Sequence, residues 1–276
     1  MSETRYLQIL KDAIHFGEPH EDRTGVGTRS LFGEHIEFNC QRSFPLLTTK
    51  RVAFMNTFRE LKWFLSGSTN VRDLHESARH WWTPWADDFN QLGPTYGKQI
   101  RGQTSFNSLN DGPSDQLATV LGQIENNPTS RRILMTTWNA ADVPYTRLPP
   151  CHGLVTQFYC HSNGGLSLQT YQRSADLFLG FPVNIASYAL LLYMVAKVTN
   201  RTPNMLKITI GDAHLYLNHF DQAKEQLGRK RRPRPKLHLD MPEGATALER
   251  LLNFEEHHLH LEGYDPHPAI KAEVAV

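Results

Sequence analysis

The residues with the most chemistry in them lie in the second half of this chain. Cys151 sits in the stretch RLPPCHGLVTQFYC, after two prolines and before a histidine. A thiolate is a strong nucleophile, but an ordinary cysteine needs positive potential to give up its proton. Arg173 lies on a neighbouring segment, and Arg131 and Arg132 open another. A thiolate among arginines suits an electrophile that carries phosphate. Against this stands the common fate of a free cysteine, burial as a small inert residue. That is the expectation for Cys40 and Cys160, which lie in apolar or strand-like surroundings.

The segment QRSADLFLGFPVNIASY carries more. It places Arg173, Ser174, Asp176 and Asn184 within twelve positions, ahead of a long apolar run. Arginine and serine together can hold a phosphate dianion through charge-assisted bonds. Asn184 opens the apolar run, where it either caps a helix or pairs its amide with the C=O and N–H edge of a heterocycle. Asp176 is either a plain surface acid or an acceptor for the N–H groups of a second ring.

The elements that must position these groups are mixed. FMNTFRELKWFLSG puts Phe54, Phe58, Leu61 and Leu65 on one helical stripe and predicts a stop at Gly67. RRILMTTWN has a buried-strand pattern. LSLQTYQRS alternates, with Leu166, Leu168 and Thr170 facing one way and Gln169, Tyr171 and Arg173 the other. NIASYALLLYMVAKV is apolar nearly all round, as a central helix should be, and LKITIGD is another strand. Strands are therefore expected mainly after residue 130. The polar stretch 104–115 reads as a loop, and GRKRRPRPK as an exposed connection.

The whole chain sets bounds. It has 276 residues with 29 basic and 28 acidic side chains, so a nucleic-acid coat or an acidic tail is not expected. Three cysteines give no disulfide framework and fit a reduced, cytoplasmic setting. No C-x-x-C pair suggests a metal. The N-terminus reads as an amphipathic helix rather than a signal peptide, and the most apolar window, 185–198, is too short to span a bilayer. One α/β (α+β) domain over 1–276 is the expected organisation.

LPPCHGLVTQFY, LSLQTYQRSADLFLGFPVNIASYALL and GDAHLYLNH resemble the signature blocks of the thymidylate synthase family. So do DRTGVGT, FPLLTTKR, LGPTYGKQIR, SRR and the terminal GYDPHPAIKAEVAV, in order along almost the whole chain. The resemblance implies a mixed sheet flanked by helices, dimerising through that sheet. It implies transfer of one carbon from 5,10-methylenetetrahydrofolate to C5 of dUMP, with no metal. C5 of uracil is a poor nucleophile, and adding a thiolate at C6 pushes electron density onto it. By resemblance that thiolate is Cys151, and Asn184 reads the uracil O4/N3 edge, which favours dUMP over dCMP.

The resemblance places the dUMP phosphate on Arg23, Arg173 and Ser174, with Arg131 and Arg132 arriving from a second subunit. So many arginines would repel one another without an anion between them. His214 and Tyr216, two apart on a strand and so on one face, match the pair that holds the 3′-hydroxyl. Glu60, otherwise an ordinary surface glutamate, matches a buried carboxylate that organises water at O4. Tyr96 matches the residue that assists proton removal from C5. The folate is expected on Trp82 and Trp85, near Leu148, Leu179 and Gly180, with Asp176 on its pterin and Lys50 at its glutamyl tail. The end of the chain, including Ala275, would close over both ligands.

Four features depart from the family pattern. HGLVT places five residues between the cysteine and Gln157 where four are usual, which would flip the following strand unless a bulge absorbs the extra one. Val183 stands where phenylalanine is usual, Trp81 where a smaller aliphatic is common, and Ala53 where a histidine often stands. These changes leave open a dUMP hydroxymethylase, which uses the same donor but lets water finish the reaction. RNA binding through GRKRRPRPK is a secondary alternative; its six basic residues lack interleaved aromatics.

Overall fold

The computed structural model describes residues 2–104 and 112–274. Helix α1 (Ser2–Phe16) leads into a short strand β1 (Glu18–His20) and a long strand β2 (Thr28–Asn39). Helix α2 (Phe54–Ser66) follows and ends at Gly67, whose φ of 86° suits only glycine comfortably. Short helices α3 (Glu76–Arg79) and α4 (Tyr96–Gly102) come next, then α5 (Gln116–Asn126) and strands β3 (Leu134–Met135), β4 (Val155–Cys160) and β5 (Gly165–Asp176). Helix α6 (Gly180–Val198) crosses over to β6 (Thr202–Tyr216). The chain continues through α7 (Phe220–Leu227), β7 (Lys236–Leu239), α8 (Ala247–Leu252) and β8 (Leu259–Glu262).

Among the described residues the main sheet has the order β1-β2-β6-β5-β4-β3, and β7 pairs with β8 apart from it. Only β5 and β6 run parallel, because α6 connects them. The other neighbours are antiparallel. The mixed sheet flanked by helices agrees with the expected fold class. The alternation in β5 is also as expected: Leu166, Leu168 and Thr170 are buried against α6, while Tyr171 faces outward.

Three expectations change. Strands do not begin at residue 130, because β2 is twelve residues long. Charged and polar residues alternate irregularly with apolar ones, Phe32 is exposed, and Gly33 interrupts the alternation, so its hydrophobic signal is thin. RRILMTTWN yields only the two-residue strand Leu134–Met135, with Leu134 exposed at the sheet edge. The apolar helix is longer than the window 185–198: it runs from Gly180 for 19 residues and meets the length and composition of a membrane span, yet it is packed as a core helix. Part of the proposed loop 104–115 lies outside the described residues.

GRKRRPRPK is less free than its composition implies. Arg229 donates to the carbonyls of Thr49 and Pro268, and Arg232 pairs with Asp265 at 2.9 Å. Arg231 bonds Thr4, and His267 Nε2 meets the carbonyl of Lys230 at 2.7 Å. Much of the run therefore clasps the chain just before its C-terminal segment.

Candidate active site

Cys151 lies between the Pro149–Pro150 pair and a tight turn that leads into β4. Gly153 in that turn has a φ of 65°, and a Cβ there would sit 2.3 Å from the Tyr188 hydroxyl. From Val155 to Cys160 the pairing of β4 with β5 runs without a register shift. Arg173 holds the approach to the cysteine: its Nε and Nη2 donate to the carbonyls of Pro150 and Pro149 at 2.8 and 3.1 Å.

The thiol is enclosed by an aromatic wall. Tyr96 Oη lies 3.4 Å from Cys151 Sγ and accepts the Cys151 backbone N–H at 3.0 Å. Tyr96 opens α4 with a φ of 24°, a strained backbone value of the kind that clusters at functional sites. It stacks on Phe64 and lies against His152. Burial pushes the Cys151 thiol up, and the Tyr96 hydroxyl and Arg173 charge only partly oppose that rise. His152 is buried, its Nδ1 2.7 Å from Tyr188 Oη, and burial lowers its pKa to about 4, so its ring is neutral.

Glu60, on the buried side of α2, faces the same cavity. Its carboxylate accepts from Trp82 Nε1 at 2.6 Å, and burial raises its pKa to about 7. A carboxyl group poised near neutrality is suited to moving protons. Asn184 does not cap α6, which begins four residues earlier; Asp176 Oδ1 instead accepts the N–H groups of Phe178 and Leu179. The Asn184 amide donates to Gln172 Oε1 at 3.3 Å. That contact restrains the amide of a residue that lines the cavity.

These groups line one cavity of about 560 Å³: Glu60, Tyr96, Cys151, His152, Ser174 and Asn184 share it with Asp176. Residues 4–276 match the family model described as thymidylate synthase. The chain belongs to the thymidylate synthase family. That membership makes it a one-carbon transferase of a family that uses methylenetetrahydrofolate.

The rest of the cavity suits the flat, partly apolar cosubstrate of a thymidylate synthase family member. Trp82, Trp85, Leu148, Leu179 and Gly180 line it together with Asp176. The three side-chain departures, Ala53, Trp81 and Val183, line this part too. Ile270, Ala272 and Val274 of the C-terminal segment form its outer wall, while Ala275 lies outside the described residues. Lys50 is a lining residue, but its ammonium turns inward to the Phe178 carbonyl and ring, and burial lowers its pKa to about 8. The exposed Arg51 beside it is the more available cation. Among the described residues no cluster of His, Cys, Asp or Glu is placed to hold a metal ion.

Other candidate residues lie outside this cavity. Arg23 is exposed, with its guanidinium 5.1 Å from the Trp85 ring centre. His214 and Tyr216 share a face at the end of β6, their rings 5.3 Å apart and His214 in register with Asp176. Arg131 and Arg132 are exposed on the turn before β3 and do not line the cavity of their own chain. Sequence reasoning missed His152, Gln172 and Arg51. His152 was visible as the neighbour of the cysteine, and Arg51 as the neighbour of Lys50. Gln172 carried no signal beyond its place next to Arg173.

Proposed function

We propose that this protein is a thymidylate synthase, converting dUMP to dTMP with 5,10-methylenetetrahydrofolate. The observation that carries this reading is the meeting of the Cys151 thiol, the Asn184 amide and the Glu60 carboxyl in one cavity walled on its outer side by apolar residues. The folate supplies the one-carbon unit and, for dTMP, a hydride. The chain's own residues do the rest. Cys151 Sγ bonds to C6 of the uracil, and the C5–C6 electron pair moves toward O4. The Asn184 amide donates to O4 and accepts from N3–H, while Glu60, near its pKa, supports proton movement at O4. Tyr96 and water at the C5 side take the C5 proton, and the C6–S bond then breaks to return the thiolate.

An amide at 184 disfavours cytosine, because the cytosine amino group and bare N3 would meet the wrong partners. Such a mismatch costs on the order of 1–3 kcal/mol. Ser174 and Arg173 would hold the phosphate. Arg131 and Arg132 would join them in a homodimer that pairs the outer sheet face, where Leu134, Val155, Tyr159 and Tyr171 are exposed. Apolar closure by Ile270, Ala272 and Val274 supports hydride transfer over attack by water. A second reading, a dUMP hydroxymethylase, is favoured by Ala53 and Val183, whose short side chains leave more room in the folate part of the cavity. Release of the C5 hydrogen of labelled dUMP into water tests the shared chemistry. It should require the folate and Cys151 and should not occur with dCMP. Absence of release from dUMP would count against both readings.

A further inference from the structure

A second cavity, of about 520 Å³, takes no part in the mechanism above. Among the described residues, none that lines it also lines the cavity of Cys151. Its walls are the turn after β2, the C-terminal half of α6, the start of β6, and β7. Three hydrogen bonds pin these walls together. The Cys40 N–H donates to the Asn204 carbonyl at 2.7 Å, and the Phe44 N–H donates to the Pro235 carbonyl at 2.8 Å. The Tyr193 hydroxyl donates to the Cys40 carbonyl at 2.6 Å. The Phe44 and Tyr193 rings meet edge to face, their centres 5.3 Å apart.

The charge around this cavity has one sign. Arg42 and Lys236 line it, both are exposed, and among the described residues neither side chain has a hydrogen bond or an ion pair. That sets Lys236 apart from the arginines earlier in GRKRRPRPK, which are tied to Thr4, Thr49 and Asp265. Arg234 adds positive potential from behind: its charge opposes the rise that burial imposes on the Cys40 thiol and the Tyr193 hydroxyl. No aspartate or glutamate among the described residues lines the cavity. Glu262, opposite Lys236 in the β7–β8 register, lies 3.3 Å from His238 Nε2.

These donors define the ligand. Arginine and lysine only donate, so the ligand must carry acceptors and negative charge. A phosphate monoester presents three acceptor oxygens in different directions, which suits a guanidinium on one wall and an ammonium on another. The Ser43 and Thr202 hydroxyls add partners that can turn to fit. Tyr193 and Leu237 are buried and Pro203 is half-buried, so part of the lining is apolar. A bare phosphate would leave most of the space unfilled, whereas cavities of about 300–1,000 Å³ hold small organic molecules.

We propose that this cavity is a second, non-catalytic site for a small phosphate monoester, with Arg42 and Lys236 on the phosphate and Tyr193, Leu237 and Pro203 against its apolar body. The proposal stands independently of the dUMP reading.

Acetylation of lysines by N-hydroxysuccinimidyl acetate, read residue by residue by mass spectrometry, tests it on the full chain with phenyl phosphate as the probe. At about ten times its dissociation constant the probe should slow acetylation of Lys236 about tenfold, by mass action. Lys230, exposed in the same basic run, is the internal reference and should react at an unchanged rate. Arg42→Ala should raise the concentration needed for protection about tenfold. Because Arg42 is exposed and unbonded, the variant should keep its Tm. Inorganic phosphate should need about tenfold more than phenyl phosphate, since it buries no ring. Protection is read at Lys236 itself, so phosphate bound beside Cys151 does not register. No protection of Lys236, equal protection of Lys230, or undiminished protection in Arg42→Ala would overturn the proposal. Equal potency of inorganic phosphate would overturn the role given to the apolar wall.

Discussion

Around Cys151 the polar groups are tied to one another: Tyr96 to the cysteine, His152 to Tyr188, Glu60 to Trp82, Asn184 to Gln172. Across the same cavity, the walls at Ala53, Trp81, Trp85, Val183 and the C-terminal segment are largely apolar. One side is held in place before any ligand arrives. The other is shaped by volume, and Ala53, Trp81 and Val183 line it. Preorganised hydrogen bonds lose their function with one wrong atom, whereas an apolar wall tolerates a lost and a gained side chain if volume is kept. The contrast predicts large effects on the first side and small ones on the second.

Cys151→Ser should have the largest effect, lowering turnover by on the order of 10⁴-fold or more while dUMP still binds. Near-normal turnover would remove the nucleophile from the account. Glu60→Gln should lower kcat by about a hundredfold and abolish the bend in the pH profile near the Glu60 pKa of about 7. Its stability has a definite sign. The folded-state pKa is raised from 4.5 to about 7, so stability from the neutral acid is complete below 4.5 and lost as pH rises through about 7. Glutamine stays neutral, so the variant should melt higher than the unaltered protein near pH 8 and alike near pH 4.5. A constant difference across that range would contradict the burial of an ionising group.

Asn184→Asp should shift the ratio of kcat/KM for dCMP over dUMP upward by roughly tenfold to a hundredfold. An unchanged ratio would take base reading away from this residue. Gly153→Ala, which forces a side chain into a left-handed turn against Tyr188, should destabilise the fold by about 1–3 kcal/mol in a denaturant titration. Val183→Phe belongs to the adaptable side. It should alter the folate KM by less than about tenfold and leave dUMP affinity as it was. A collapse of dUMP binding in that variant would erase the distinction between the two sides.

The same distinction governs what could be read from the amino-acid sequence. Cys151 and Asn184 stood in long blocks that resemble family signatures, Glu60 was named by the same resemblance, and the structure places all three in one cavity. The buried helix α6 was legible because it is apolar all round. Strand β2 was not, because exposed Phe32 and the adjacent Gly33 break its alternation. The turn after Cys151 could not be foreseen, since it depends on a left-handed glycine fitted against Tyr188, 35 positions farther along the chain. The amide pair of Asn184 with Gln172 and the Asp212–Ser30 bond join separate elements. No local pattern in the chain records them.

The most direct test of the central claim is the identity of the products formed from dUMP and 5,10-methylenetetrahydrofolate by the purified protein. The account predicts dTMP and dihydrofolate in equal amounts. Tetrahydrofolate together with 5-hydroxymethyl-dUMP would contradict it, showing that water and not hydride completes the reaction.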